Sequence, residues 1–395
     1  MLVSIVINNH NYARFLGQAI DSALAQTHAE LEVIVCDDAS TDDSWAVMQG
    51  YGTRITALRN ETNGGQAAAM NAGFAASRGE FVLFLDSDDL LDPTALATCL
   101  PLFAPGVAKI QFALRCIDAE GTPLGRQIPF LMHAGDVRPM IRRFGSYAGP
   151  PSSGNFYRRS AIERYFPLHA PDWRRAADTP PFLLSAFNGR IVNAPQALGG
   201  YRIHSSSNRG RGGFGNIVTR HADALRVDLH RRNATLAILE RVDGQALAGP
   251  FLPAPWNLRT RAMSWRLERE AHPFPEDSAW SLMKLQAQAL SACPGYTWLE
   301  RRLSQAWLIG ILAMPGGLAW RLALTNTSSH LRRRIGRLSG RAGPHGAPHH
   351  GPPGSPHGGQ RSSQLSTPLT PQLTAQRAGQ LTHPHASQGA SRRAA

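Results

Sequence analysis

Short apolar runs recur along the first part of the chain, each closed by polar residues. Residues 2–7 (LVSIVI), 31–36 (LEVIVC) and 80–85 (EFVLFL) are β-branched or aromatic, the pattern of strands buried on both faces. Helical periodicity fills the gaps at about 13–26, 42–50 and 66–77. This alternation predicts an α/β protein with a doubly wound, mostly parallel sheet. Ligands of such sheets sit outside the carboxyl ends of the strands, so the polar residues after each run are the first candidates for chemistry.

Further along the pattern changes twice. Residues from about 100 to 215 carry more loop chemistry (GPPSSGN, HAPDW, ADTPP), with a strand expected at 190–193 ahead of Tyr201-Arg202-Ile203-His204. Residues 216–335 read as amphipathic helices, DALRVDLHRRNATLAILERV among them. From about 339 the chain is rich in Pro, Gly, Ser, Gln and His, too poor in apolar surface to offset chain entropy, and is expected to be disordered. Three units are therefore predicted, 1–215, 216–335 and 336–395.

Composition narrows the class. The net charge of +13 is concentrated at the end: from residue 301 onward there are 12 Arg and no acidic side chain. The front of the chain, which holds all 28 acidic residues, is close to neutral. The tail lacks the aromatics that stack on bases, which makes nucleic acid an unlikely partner. Cys36, Cys99, Cys116 and Cys293 form no CxxC pair, which points to reduced thiols rather than zinc or disulfides. The start, MLVSIVINNHNY, has no basic n-region, and the apolar segment Trp307 to Trp320 is broken by Pro315-Gly316-Gly317. A cytoplasmic protein is expected, with peripheral contact at the inner membrane face left open.

Three motifs carry candidate chemistry, two of them directly after strand-like runs. Asp86-Ser87-Asp88-Asp89 leaves EFVLFL; residues i and i+2 project to the same side, so Asp86 and Asp88 can face one site and hold a hard cation such as Mg²⁺ or Mn²⁺. The ordinary alternative is an acidic turn before a helix, for which Asp92 would suffice. Asp37 and Asp38 leave LEVIVC and can accept from a base edge or ribose hydroxyl; Ser40 or Thr41 is the expected cap of the next helix. Asn63-Gly64-Gly65-Gln66 opens the helical stretch AAAMNAGFAAS, which suits a phosphate at a helix N-terminus or, equally, an ordinary glycine turn.

These motifs, VSIVINNHNYARFLGQAIDSALAQTHAELEVIVCDDASTDDS, NGGQAAAMNAGFAASRGEF and LFLDSDDLLDP, resemble in order and spacing a family 2 glycosyltransferase of the GT-A fold. The resemblance extends weakly through SSGNFYRRSAIE and GGYRIHSSSN, to about residue 210. It implies inverting transfer of a sugar from a nucleotide-diphosphate sugar, with a UDP-sugar favoured over a GDP-sugar, to a carbohydrate or lipid-linked acceptor. By that resemblance Asn9, Asp37, Asp38, Asn63, Gly64, Gly65 and Asp86 line the donor site, with Asp38 on the nucleobase. Asp86, Asp88 and His204 would hold a divalent cation; for His204 an ordinary hydrogen-bonded role is an equal alternative.

Two departures from the family pattern stand out. The acidic pair usual before the late strand is absent from HAPDWRRAADTPPFLLSAFNGRIVNAP; Asp178 stands in its place, with Asp172 the alternative. Asp178 also suits a helix N-cap ahead of Thr179-Pro180. Met70 stands where many relatives carry Arg. A nucleotidyltransferase would need a glycine-rich phosphate loop in place of NNHNYARF, and a glycoside hydrolase needs no nucleotide pocket. The remaining rival is a degenerate domain that acts as a scaffold through its helical region and basic tail.

Overall fold

The computed structural model describes residues 1–204, 220–247, 249–315, 317–319 and 322. The expected boundary at 215 and the tail from 336 lie outside these residues. Strands and helices alternate at the start: β1 (Val3–Asn9), α1 (Ala13–Leu24), β2 (Leu31–Asp37), α2 (Ser44–Gln49), β3 (Thr56–Arg59), α3 (Gln66–Ala76) and β4 (Phe81–Asp86). Then come β5 (Leu90–Leu91), α4 (Ala95–Cys99), β6 (Val107–Gln111), β7 (Leu114–Ile117), β8 (Pro123–Ile128) and α5 (Arg138–Phe144). The sheet region is completed by β9 (Asn155–Arg158), α6 (Thr179–Leu184), β10 (Arg190–Asn193) and β11 (Gly199–Arg202).

Seven strands form one sheet in the order β10-β6-β9-β4-β1-β2-β3, parallel throughout except for β9. The expected doubly wound layering follows from period-two burial. Val3, Ile5 and Ile7 face α1 with Val33, Val35, Leu83 and Leu85, whereas Val6, Ile34, Val82 and Phe84 face α3. Register then aligns the polar tips: Asn9 lies opposite Asp37, and Asn8 opposite Asp86. Because β2 lies on one side of β1 and β4 on the other, these tips flank the point where strand order reverses.

A second sheet, β5-β11-β7-β8, stands beside the first. β5 follows the acid turn directly and pairs antiparallel with β11, so the end of β11 returns to that turn. The named helices that follow among the described residues are α7 (His221–Asp243), α8 (Pro255–Leu267), α9 (Ala279–Ala292) and α10 (Trp298–Ala313). Capping boxes at Ser278/Ser281 and Thr297/Glu300 satisfy the first amides of α9 and α10 and set their starts. Leu236, Leu258, Leu282, Leu308 and Ile311 share one buried cluster with Ile141, Phe144, Leu183 and Ile191. Cutting the fully buried Leu258 to Ala would cost about 2–5 kcal/mol there. All four cysteines are buried and unpaired, and no helix among the described residues is long and apolar enough to cross a membrane.

Candidate active site at the strand ends

Strand β2 ends in a carboxylate that is fully hydrogen-bonded. Asp37 is 0% exposed and accepts from Asn9 Nδ2 at 2.9 Å, from the Ser40 amide at 3.2 Å and from the Ser40 hydroxyl, with Arg59 Nε at 3.4 Å. Ser40 is thereby spent on Asp37 and the Asn11 amide and does not cap α2. Asp42 does the capping instead: its carboxylate accepts the Ser44 amide at 3.0 Å and the Ala13 amide, in the first turn of α1, at 2.9 Å. Asp37 and Asp42 therefore have structural partners that sequence reasoning did not supply.

Asp38, 2% exposed, accepts from Asn60 Nδ2 at 2.7 Å, the Gly64 amide at 3.0 Å and the Gly65 amide at 2.6 Å. It thus folds the glycine turn onto the end of β2 and keeps one of its roughly four acceptor positions open. Gly65 sits at φ +85°, and a Cβ there would fall 2.5 Å from Arg174 Cα, so this close approach requires glycine. Asn63 turns its amide to the His10 ring at 3.1 Å, and Arg174 donates to the Asn63 carbonyl at 3.2 Å. Asn9, Asp37, Asp38, Asn63, Gly64 and Gly65 are thus brought together.

The end of β4 is built differently. The Asp86 carboxylate has a single long contact, Asn8 Nδ2 at 3.4 Å, while its amide donates to Ser153 Oγ at 3.1 Å. Asp89, 1% exposed, accepts from Ser153 Oγ at 2.6 Å and from the Arg202 amide at 3.0 Å. Asp88 pairs with His204 Nε2 at 3.0 Å, and the His204 ring rests against Tyr12 and Phe15, with centroids 5.5 and 4.8 Å away. Arg202, 0% exposed, holds the turn in place by donating to the Asp88 carbonyl at 2.7 Å and to the Ala119 carbonyl at 2.7 Å. Side chains from β1, β4, β11 and α1 therefore converge.

Asp178 opens α6 without capping it: its side chain makes no cap hydrogen bond, so the simple N-cap role is not taken up. Burial raises its carboxyl above the usual range, against the pull of the Arg231 and Lys109 cations. Asp86 is pushed up to about 8 by burial, then by the negative charges of Asp88 and Asp178. Burial, then the charges of Asp88 and Asp86, also raise Asp89 well above the usual carboxylate range. Burial and the same three carboxylates of the turn push the Tyr12 hydroxyl up to about 12. Asp178 is thus within electrostatic reach of Asp86 across the strand ends. Asp172 instead lies in an exposed turn and pairs with His169 at 3.0 Å.

Fit to a divalent cation can be tested on the donor set. Two carboxylates and one imidazole nitrogen suit Mn²⁺ or Mg²⁺, and a cation would relieve the charge crowding that raises Asp86. Among the described residues no group of three His, Cys, Asp or Glu side chains is placed to hold a metal ion by itself. The residues fit a cation that completes its shell with substrate phosphate oxygens.

Sequence reasoning missed Asn8, Tyr12, Ser153, Lys109 and Arg231 as site neighbours. Asn8 and Tyr12 stand within NNHNY, and Ser153 within SSGN. Lys109, set in the apolar run GVAKIQF, carried a signal of its own as a charge inside a strand. Arg231 carried none, since only the packing of α7 on α6 brings it near Asp178.

An α/β sheet with acidic and amide side chains gathered at its strand-order reversal defines a ligand-binding protein of the doubly wound class. Residues 4–166 match Glycosyl transferase family 2, and that part of the chain belongs to the family. The match stops short of Asp178 and His204. The chain is 37% identical over 223 residues to an uncharacterised glycosyltransferase of Nostoc sp., covering 53% of this chain and 66% of that protein. It is 37% identical over 124 residues to chondroitin synthase of Escherichia coli, covering 30% of this chain and 18% of that one. It is also 39% identical over 89 residues to the UDP-Glc:alpha-D-GlcNAc-diphosphoundecaprenol beta-1,3-glucosyltransferase of Escherichia coli, covering 22% of this chain and 36% of that one. The chain thus spans less than two thirds of the length of these relatives. Among solved structures, S. aureus TarS in complex with UDP aligns at 16% identity and a TM-score of 0.46, over 84% of this chain and 92% of that one.

Proposed function

We propose that this protein transfers a sugar, with inversion, from a nucleotide-diphosphate sugar to an acceptor hydroxyl, in the synthesis of a polysaccharide or glycoconjugate. The observation that carries the reading is Asp178: a carboxylate with raised proton affinity, no cap bond, and its field on Asp86 across the strand ends. A base of that kind accepts the acceptor proton as the hydroxyl attacks, which a neutral hydroxyl needs in order to become a competent nucleophile. Asn9, Asp37, Asp38, Asn63, Gly64 and Gly65 shape the nucleoside side, with the open acceptor position of Asp38 for the base. Asp86, Asp88 and His204, the last paired with Asp88, would hold the divalent cation. When bound, that cation stabilises the negative charge that grows on the departing diphosphate.

A UDP-sugar is the favoured donor, in keeping with the donor named for one of the Escherichia coli relatives. The acceptor is a carbohydrate or a lipid-linked one. Contact with a membrane surface from the cytoplasmic side is supported by the outer face of α10, where Trp298 is 71% exposed and Ile309 44%, beside Arg302.

Calorimetric titration of UDP and of GDP, with and without Mn²⁺, tests the donor site in wild type and in Asp88→Asn. Mn²⁺-dependent binding of UDP, lost in the variant, is expected. Absence of binding by both nucleotides would leave a scaffold domain in place of an enzyme.

A further inference from the structure

Lys109 is one of the largest fully buried side chains of the protein, and it takes no part in the chemistry described above. It stands on β6, with its amine among three groups. Nζ donates to Tyr147 Oη at 2.9 Å and to Asn155 Oδ1 at 2.7 Å, and lies 3.9 Å from the centre of the Phe182 ring. Tyr147 stacks on Phe182 at 4.4 Å and donates its own hydroxyl to the Phe182 carbonyl at 2.8 Å. Phe182 belongs to α6, and its amide donates to the carbonyl of Asp178 at 3.0 Å.

On the other side, Asn155 passes the link to the acid turn. Its amide donates to the Pro151 carbonyl at 2.8 Å and shapes the loop before β9. Within that loop Ser153 accepts the Asp86 amide at 3.1 Å and donates to Asp89 at 2.6 Å. Lys109 therefore bonds toward both halves of the site: through Tyr147 to the helix that carries Asp178, and through Asn155 to the loop that seats Asp86 to Asp89.

Stability is a poor reason for an amine here. Burying an ammonium costs several kcal/mol before its contacts repay it, and a methionine of similar length would fill the space without that cost. Burial drives the amine well below its usual proton affinity, with Asp178 as the opposing charge. What a methionine would not supply is directed donors that fix two separate segments against each other.

We infer that Lys109 is a positioning residue that holds α6, and with it Asp178, in register with the Ser153 loop and the acid turn. The inference rests on the proposed transferase reading. Positioning matters because displacing a reacting group by about 1 Å can cost on the order of 100-fold in rate.

The test compares wild type, Lys109→Met and Tyr147→Phe in the full chain. Turnover is read as hydrolysis of UDP-glucose with Mn²⁺, or of GDP-mannose if UDP-glucose is not turned over, so that water serves as acceptor and no acceptor need be known. Nucleotide binding is read by titration of UDP, or GDP with the second donor. For Lys109→Met the expected result is a fall in kcat of about 10- to 100-fold, with nucleotide Kd within about twofold of wild type. Tyr147→Phe, which deletes one link and keeps the ring, should lower kcat by less and leave Kd alone; it carries the test if Lys109→Met fails to fold. Unchanged kcat in the folded variants, or a loss of nucleotide binding in step with kcat, would overturn the inference. A wild-type protein that binds neither nucleotide would overturn the transferase reading, and the inference with it.

Discussion

Two acidic pairs close the strands on either side of β1, Asp37-Asp38 at the end of β2 and Asp86-x-Asp88 at the end of β4, and as sequence they look alike. Folded, they differ in how many donors surround them. Asp37 and Asp38 are met by Asn9, Ser40, Arg59, Asn60 and two glycine amides, so most of their acceptor positions are used to build the pocket wall. Asp86 has one contact at 3.4 Å and two carboxylates in its field, Asp88 and Asp178. Saturated carboxylates make structure; crowded and under-donated ones store negative potential that a proton, a cation or a reacting hydroxyl can discharge. Asp178 and Asp172 differ in exposure: the first is half-buried and its charge reaches Asp86, the second is exposed on His169.

The largest expected effect is that of Asp178→Asn. Removing a general base should lower kcat by about 10²–10⁴-fold, with UDP binding in the presence of Mn²⁺ intact. Steady-state turnover beside calorimetry checks it, and a variant within tenfold of wild type would place the base elsewhere. Next is Asp37→Asn, which leaves Arg59 and the Ser40 hydroxyl without their anion and should destabilise the fold by about 2–4 kcal/mol. Denaturant unfolding reads this loss; a fall in activity without one would move Asp37 from the wall to the chemistry.

A pH experiment sharpens the β4 side. Asp86 has a folded proton affinity raised to about 8, so its contribution to stability is fully present below the ordinary carboxylate range and is lost as pH rises toward 8. Mn²⁺ competes with that proton. The thermal stabilisation by Mn²⁺ should therefore be greater at pH 8 than at pH 6, and that gap should vanish in Asp86→Asn. An equal thermal shift at both pH values in wild type would contradict the assignment. The smallest effect belongs to Asp172→Asn, which breaks an exposed pair and should change stability by less than about 0.5 kcal/mol and turnover by less than about twofold.

Much of the first half was legible because its signals are local. A strand buried on both faces must be apolar at successive positions, so β1, β2 and β4 were readable to within a few residues, and so were the acidic tips that follow them. β3, with only partial burial, and β9, four residues running antiparallel between parallel neighbours, carry no such signature. Ser40 or Thr41 was expected to cap α2, yet the Ser40 hydroxyl goes to Asp37 and to the Asn11 amide, and the second of these contacts needs β1 paired with β2.

What the sequence determined by itself is the alternation of elements, the placing of Asp37, Asp38, Asp86 and Asp88 at strand ends, and the resemblance those motifs carry. Only the tertiary structure decided which carboxylates are saturated and which are crowded. It alone brought His204 to Asp88 across 116 positions of chain, Asp178 within reach of Asp86, and Lys109 beneath both halves of the site. Apolar periodicity is a property of neighbours in sequence, whereas the count of donors and charges around a carboxylate depends on segments far apart in the chain, and folding alone brings those together.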